Sequence, residues 1–126
     1  MATIKSFEQI EAWQLSRELV KDLYIIFDEQ KLKTQFELMS QIKRAALSIM
    51  NNIAEGYGRY SNGDFIRFLD YSSASASEVK SMLYVMEDLQ FITRDDANTY
   101  RARIDVIQSK VLRLIKYLKE HRSKKE

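Results

Sequence analysis

The stretch QIKRAALSIMNNIAEGYGR, residues 41–59, decides the fold of this chain. Its apolar residues recur every three or four positions, which is the spacing of one face of an α-helix. Its polar residues keep the same spacing, so on a helix their side chains form a single line. We call this line the polar stripe; it consists of Gln41, Arg44, Ser48, Asn52, Glu55 and Arg59. The stretch therefore predicts a helix whose apolar surface is interrupted by one row of polar groups.

Helix starts along the chain are marked by capping boxes, in which a hydroxyl caps a backbone N–H and a side chain three residues later returns the hydrogen bond. The pairs are Ser6 with Gln9, Thr34 with Glu37, Ser61 with Asp64 and Thr93 with Asp96. The apolar spacing between them predicts helices over about 7–28, 35–57, 62–90 and 94–121. Because the connections are short, we expect one all-α domain over residues 1–126, an antiparallel up-down-up-down four-helix bundle.

Two stretches predict how the helices end and pack. Gly56 or Gly58 is expected to supply the left-handed residue that ends the second helix, because glycine adopts positive φ without steric cost. The run Ser72–Ser77 contains only serine and alanine, and small side chains let a neighbouring backbone approach closely. We favour a tight helix crossing at this run over a ligand site.

The composition excludes several classes of protein. The chain has no cysteine, which excludes disulfides and fits a reducing cytoplasm. Its start, MATIKSFEQIEAW, lacks the charged and apolar regions of a signal peptide. No run approaches the roughly 18 apolar residues of a membrane span. We expect a cytoplasmic protein that does not contact membranes.

The sequence offers little for catalysis or metal binding. It contains one histidine, His121, whereas a di-iron bundle needs a Glu-x-x-His pair on each of two helices. A Ser-His-acid triad would have to use that same residue. We interpret His121 as a solvated residue of the last helical turn, where a cation suits the helix dipole. The sequence predicts no metal, no cofactor and no enzymatic activity.

The first two predicted helices are apolar over a wide surface. On a helical wheel the apolar side chains of the first helix, among them Trp13, Val20, Tyr24 and Phe27, cover about 180°. A contact within one bundle needs closer to 100°. The second helix is similarly broad. The excess predicts a second buried contact for each helix, and hence a homo-oligomer.

The polar stripe has two interpretations. It is either a hydrogen-bonded seam against a neighbouring helix or subunit, or a surface that binds a ligand or nucleic acid. Buried polar groups need partners, and such seams can fix the register of packed helices, so we favour the structural interpretation. It predicts that Arg44 and Glu55 are at least partly buried and hydrogen-bonded, within the bundle or across a subunit interface.

Basic residues concentrate near the C-terminus, where seven cations face two acids over residues 110–126, a net charge of +5. The cations are Lys110, Arg113, Lys116, Lys119, Arg122, Lys124 and Lys125. We favour a solvated face that complements the helix dipole; the alternative is a patch that contacts phosphates. No pair of aromatic residues suited to base stacking accompanies these cations, so any such binding is expected to depend on shape and charge.

The segment Gly56–Gly63 resembles a phosphate-binding loop only in its glycines. It lacks the Gly-Lys-Ser/Thr ending and follows no predicted strand, so we interpret it as a helix stop, a turn and a helix start. Arg59 and Arg67 nevertheless flank the start of the third helix, where free N–H groups favour anions.

The central motif resembles the signature of the bacterial four-helix bundle proteins encoded in intervening sequences of 23S rRNA genes. The motif is Gln41-x-x-Arg44-Ala45-x-x-Ser48-Ile49-x-x-Asn52-Ile53-Ala54-Glu55-Gly56-x-x-Arg59, continued by Phe65-x-x-Phe68-Leu69 and Ser75-x-x-Glu78. Trp13 lies where that family carries a tryptophan. Ser72 and Ala74 stand where the family usually has Ala and Gly.

This resemblance implies a left-handed four-helix bundle that assembles into a homopentamer, with no established enzymatic activity and an association with ribosomal RNA or ribosomes. The leading hypothesis is therefore a non-enzymatic, oligomeric bundle that associates with RNA. The alternative is a protein–protein interaction scaffold with no nucleic-acid role.

Overall fold

The computed structural model describes residues 4–28 and 36–121, and within these ranges the chain is helical and contains no strand. A 3₁₀ turn, Phe7–Gln9, precedes four α-helices: α1 (Glu11–Ile26), α2 (Phe36–Tyr57), α3 (Asn62–Asp88) and α4 (Arg94–Glu120). The predicted all-α class and the four predicted helices are confirmed, and the helices begin and end within a few residues of the predicted bounds. The predicted cap Thr34 lies outside the described residues.

The first helix differs most from the prediction. The chain is extended at Ile10, with φ −76° and ψ 118°, and this residue separates the 3₁₀ turn from α1. Ser6 makes no side-chain capping bond; instead Gln9 Oε1 accepts a hydrogen bond from the backbone N–H of Lys5 at 2.8 Å. The expected helix over 7–28 is therefore wrong at its start. Ile10 is buried, so the break places an apolar side chain in the core.

The starts of α3 and α4 follow the predicted capping chemistry. The Ser61 hydroxyl accepts a hydrogen bond from the N–H of Asp64 at 3.1 Å, and the Thr93 hydroxyl accepts one from Asp96 at the same distance. Each capping bond satisfies a donor that the first helical turn leaves free, and the acids that follow suit the helix dipole.

Contacts between the helices show that the two helices are antiparallel in each of the pairs α2–α3, α3–α4 and α1–α4. They join Ser48 to Ser75 and Ile49 to Ser72, Ser73 to Gln108 and Glu87 to Arg101, and Glu11 to Lys110 and Asp22 to Arg103. In each case the residue number rises on one helix as it falls on the other. This register is compatible with the antiparallel up-down-up-down bundle that the sequence predicts and with the left-handed bundle that the resemblance implies.

The core lies along the axis shared by the four helices. Its largest fully buried side chains are Leu19, Leu23, Phe27, Ile42, Ile49, Ile53, Leu69, Leu83, Met86, Ile104 and Ile107. When all buried residues of each helix are included, they recur at three- or four-residue steps, so the spacing of the sequence becomes one continuous interior.

Gly56 has a different role from the one expected. No described glycine has positive φ, so the expectation that Gly56 or Gly58 ends α2 in a left-handed conformation is wrong. Gly56 instead lies buried inside α2. A Cβ atom there would lie 2.7 Å from Cβ of Phe68 and 3.0 Å from Cδ1 of Phe65. The missing side chain is therefore what lets α3 approach α2 so closely.

The left-handed residue lies at the end of α3 and is Gln90, with φ 62°. The N–H of Gln90 bonds to the Glu87 carbonyl and that of Phe91 to the Met86 carbonyl, both at 2.9 Å. These two bonds form a Schellman motif, which usually has glycine at this position. A side chain there costs about 1 kcal/mol or more in backbone strain.

The run of small residues forms the tight crossing that was predicted. Ser72 is fully buried and donates its hydroxyl hydrogen to the backbone carbonyl of Ile49 at 2.8 Å. On the opposite flank, the Gln108 amide of α4 donates to the Ser73 carbonyl at 2.9 Å and to the Ser77 hydroxyl at 2.9 Å. Serine here provides both small size and hydrogen bonds to the two neighbouring helices.

Gly56→Ala is expected to destabilise the fold. Overpacking of a tight contact costs about 1–3 kcal/mol, which exceeds the roughly 1 kcal/mol that alanine contributes to a helix interior. Urea unfolding of the variant should show a lower midpoint than that of the parent.

Gly58→Ala is the matched control. A Cβ atom at Gly58 would meet only backbone carbonyl oxygens, at 3.6 and 3.9 Å, and the residue does not have positive φ. This variant should be as stable as the parent or slightly more stable. Equal stability of Gly56→Ala and Gly58→Ala would show that the contact with Phe68 does not exclude a side chain at position 56.

Candidate nucleic-acid interface

The middle of the polar stripe is a seam between α2 and α3. The hydroxyl of Ser48 lies 2.8 Å from that of Ser75 on α3. The Asn52 amide donates to the carbonyl and the hydroxyl of Ser48, each at 2.9 Å. All three side chains are partly buried. This part of the stripe therefore stabilises helix packing and is not open to a ligand.

The two ends of the stripe lie on the surface. Gln41 and Arg44 are exposed near the start of α2. At its end, Arg59 pairs with Glu55, with Nη2 and Oε1 2.9 Å apart, and both side chains are about half exposed. The single chain thus buries neither Arg44 nor Glu55. Their burial against a second copy of the chain stays a prediction.

Two guanidinium groups cover one aromatic ring beside the α2–α3 turn. The Cζ atoms of Arg59 and Arg67 lie 4.6 and 5.4 Å from the centre of the Phe68 ring. Tyr71 contacts the same ring edge-on, with centroids 5.5 Å apart. Tyr60, within the turn, is fully exposed. The sequence analysis noted that Arg59 and Arg67 flank the start of α3 but missed their stacking on Phe68, because Arg59 reaches this ring only when α3 folds back along α2.

The basic residues of α4 differ in their surroundings. Lys110 is half-buried and pairs with Glu11, and its hydrogen bond lowers the pKa of that carboxyl. Arg113, Lys116 and Lys119 are exposed. Three further predicted contacts, Arg122, Lys124 and Lys125, lie outside the described residues.

His121 ends α4 and is less solvated than expected. Its ring stacks on Tyr117 with centroids 4.1 Å apart, and Nδ1 lies 2.8 Å from the Tyr117 carbonyl. The side chain is half-buried. The interpretation of His121 as a solvated residue is therefore wrong, because the Tyr117 ring in the last turn of α4 covers part of its imidazole.

The α2–α3 turn and the C-terminal part of α4 lie at the same end of the bundle. Tyr57 donates a hydrogen bond to the Ile4 carbonyl at 2.9 Å, and Lys110 pairs with Glu11, so both segments are tied to the beginning of the chain. Ser73 of α3 contacts Gln108 of α4, and the two helices are antiparallel. Three helical turns beyond this contact, the start of α3 therefore lies level with the end of α4. We call this surface the basic end; it comprises Arg59, Tyr60, Arg67, Arg113, Lys116 and Lys119.

The charge of the basic end is only partly neutralised. Glu55 and Asp64 are paired with Arg59 and Arg67. Glu120 lies exposed near the exposed cations of α4. The surface therefore has two guanidinium groups that are paired with acids and, at the same end of the bundle, three exposed cations.

The opposite end of the bundle carries a buried cation that the sequence analysis missed. Arg101 is 7% exposed; its Nη2 donates to Glu87 at 2.8 Å and to Asn98 at 2.5 Å. Its guanidinium also lies 4.1 Å from the centre of the Tyr84 ring. The spacing of Ala97, Arg101 and Ile104 along α4 is the signal that could have placed this arginine on the buried face.

A groove of about 330 Å³ lies between the end of α1 and the start of α2. Its lining is mostly apolar and aromatic, with two cations at its edge: Tyr24, Phe27, Asp28, Phe36, Met39, Ser40, Lys43 and Arg44. Phe36 is 80% exposed there, and Ile25 of α1 is also largely exposed. Part of the wide apolar surface of these two helices is thus not covered by the residues that the structure describes, 4–28 and 36–121.

Residues 4–28 and 36–121 contain neither a group of metal ligands nor a membrane-spanning helix. No three His, Cys, Asp or Glu side chains there are grouped as metal ligands. None of these helices combines the length and the hydropathy that crossing a membrane requires.

Comparison with known proteins places this arrangement in a family of helical bundles. The model of the 23S rRNA-intervening sequence protein family matches residues 8–113, and the chain belongs to this family. It is also similar to the crystal structure of a protein with unknown function from the S23 ribosomal protein family of Bacteroides thetaiotaomicron VPI-5482. That similarity has a TM-score of 0.71 and 25% sequence identity, covering 83% of this chain and 91% of that one. No curated protein sequence matches the chain.

The stability of the fold is expected to fall in acid through Glu87. The hydrogen bond from Arg101 lowers the pKa of the Glu87 carboxyl. A carboxyl whose pKa is lower in the folded state stabilises the protein above its unfolded pKa, and this contribution is lost as pH falls through the folded pKa. Glu87→Gln should therefore be less stable than the parent at pH 7.

Urea unfolding of the parent and Glu87→Gln at pH 7 and near pH 3 measures this effect. The difference between the two proteins should narrow as the pH falls through the folded pKa of Glu87, because the parent carboxyl then becomes neutral as well. A difference that is the same at both pH values would show that the charge of Glu87 does not contribute.

Proposed function

We propose that this chain is a non-enzymatic, self-associating bundle protein that binds RNA through its basic end. The observation that carries the proposal is the position of Arg59, Arg67, Arg113, Lys116 and Lys119 at one end of the bundle, although they come from separate parts of the sequence. Cations on a common surface can contact successive phosphates of one nucleic acid. The name of the family, which refers to 23S rRNA, makes RNA the first nucleic acid to test.

Self-association is supported by the apolar surface that the described part of the chain leaves open. Tyr24, Ile25 and Phe36 are exposed around the α1–α2 groove, and exposed apolar patches of this kind mark interaction sites. The family resemblance implies a homopentamer. In a closed cyclic ring every copy presents its basic end in the same way, so weak binding by one copy becomes multivalent.

The absence of enzymatic activity is supported by the surroundings of the side chains that catalysis would need. His121, the only histidine of the sequence, is stacked on Tyr117 and bonded to the preceding helical turn. The hydroxyls of Ser48 and Ser72 are engaged with α3 and α2 respectively, within the helix crossing. A chain without cysteine is compatible with the reducing cytoplasm, where ribosomal RNA is found.

Light scattering of the purified protein should report a mass several times 14.9 kDa, with five copies favoured. Arg44→Ala should reduce this mass without unfolding the helices, because Arg44 lies exposed at the edge of the groove. Arg113→Ala, which removes an exposed arginine far from the groove, is the control and should leave the mass unchanged. A parent protein that is monomeric at micromolar concentration would contradict self-association.

RNA binding is expected to be tolerant of sequence and steeply weakened by salt. Each phosphate contact contributes about 0.7–0.9 to the slope of log affinity against log salt concentration. Lys116→Glu/Lys119→Glu should reduce both the affinity and this slope in a filter-binding titration with structured RNA.

Lys21→Glu/Arg94→Glu makes the same change in net charge away from the basic end and should have little effect. If the parent does not bind RNA at low salt, or if both double variants bind as the parent does, the basic end is a solvated helix terminus. The protein–protein scaffold would then be the better description of the protein.

A further inference from the structure

We propose that Tyr60, together with the arginines stacked on Phe68, is a site that stacks unpaired RNA bases, so that the basic end prefers single-stranded RNA to duplex RNA. This inference rests on the RNA binding proposed above and adds the structural class of RNA that is bound. The sequence analysis expected recognition by shape and charge alone, because no aromatic pair accompanies the cations of α4 along the chain. Folding brings aromatic side chains of the α2–α3 turn to that same end.

Tyr60 is the most exposed large side chain of this region. It is fully exposed, whereas Tyr57 of the same segment is half-buried and bonded to the Ile4 carbonyl. The phenol ring therefore contributes little to the core. Both faces of a ring in this position are available to a flat ligand, and nucleobases stack well on tyrosine.

The neighbouring arginines are held in position before any ligand arrives. Arg59 lies over the Phe68 ring and is tied to Glu55, and Arg67 lies over the same ring and is tied to Asp64. A guanidinium plane accepts a stacked base on its face and donates hydrogen bonds to phosphate from its edge. Because these side chains are already ordered, less conformational entropy is lost on binding.

The same end of the bundle also offers groups that can contact the phosphates of an RNA strand. Lys116 and Lys119 are exposed at the same end, and the start of the 27-residue α3 helix adds the partial positive charge of its dipole. A positively charged surface next to aromatic side chains is the usual combination in proteins that bind single strands.

Duplex RNA can contact the cations of this surface but cannot stack its bases on the aromatic side chains. Its bases are paired and stacked on each other, so the protein reaches mainly phosphates and hydroxyls. A surface that acted through charge alone would bind the duplex at least as well, because phosphates are denser along it. Preference for the single strand is therefore the property that distinguishes base stacking from electrostatic attraction.

The test measures fluorescence anisotropy of two labelled RNAs of equal length, one unstructured and one a duplex, at one fixed salt concentration. Tyr60→Ala should weaken binding of the unstructured RNA about five- to a hundredfold, the range expected for the loss of one stacked base. Binding of the duplex should change less than twofold. Tyr60→Phe retains the ring and should bind as the parent does.

Tyr84→Ala is the matched control, because it removes a half-exposed tyrosine near the end of α3, away from both the basic end and the α1–α2 groove. It should leave both affinities unchanged. Thermal unfolding followed by circular dichroism should show that Tyr60→Ala is as stable as the parent, since Tyr60 is fully exposed.

Several results would overturn the inference, and they are distinguishable from failure of the proposed function. If Lys116→Glu/Lys119→Glu loses RNA but Tyr60→Ala does not, RNA binding stands and the stacking site is wrong. Equal losses for both RNAs, or a loss in Tyr84→Ala as large as in Tyr60→Ala, would also refute the stacking site. A parent that binds neither RNA would refute both.

Discussion

The close approach of α2 and α3 is the constraint on which the rest of the structure depends. Gly56 leaves room for Phe68, and the buried Ser72 hydroxyl bonds directly to the backbone of α2 at Ile49. Because this crossing is tight, the turn between the two helices is short and its position is fixed. Arg59 and Tyr60 lie three and four residues after Gly56, so the same contact that packs the core also sets the position of the proposed RNA-binding surface.

The two ends of the bundle use cations in opposite ways. At one end Arg101 is buried and surrounded by Glu87, Asn98 and Tyr84, so its charge stabilises the junction of α3 and α4. At the other end cations lie on the surface, and those of α2 and α3 rest on an aromatic ring. The buried cation therefore has a structural role, whereas the surface cations at the other end remain available to a partner.

Much of the fold could be predicted from local chemistry, but the roles of several residues could not. The caps Ser61 and Thr93 were predicted correctly because a capping bond joins atoms three residues apart. Gly56 was assigned to a helix end because glycine serves both as a left-handed residue and as a site of close packing, and only the position of Phe68 decides between them. Gln90 was missed because its conformation follows from the bonds that end α3 rather than from its own preference.

The sequence by itself determined the helices, their apolar faces and the all-α class, because hydrophobic spacing and capping act over one or two helical turns. It also determined the charge of the C-terminal region. Only the tertiary structure decided that the middle of the polar stripe packs against α3 while Arg44 and Glu55 lie exposed. The same is true of the position of Tyr60 at the end of the bundle where the cations of α4 lie. These outcomes depend on which helix faces which, and antiparallel packing joins residues that are far apart along the chain.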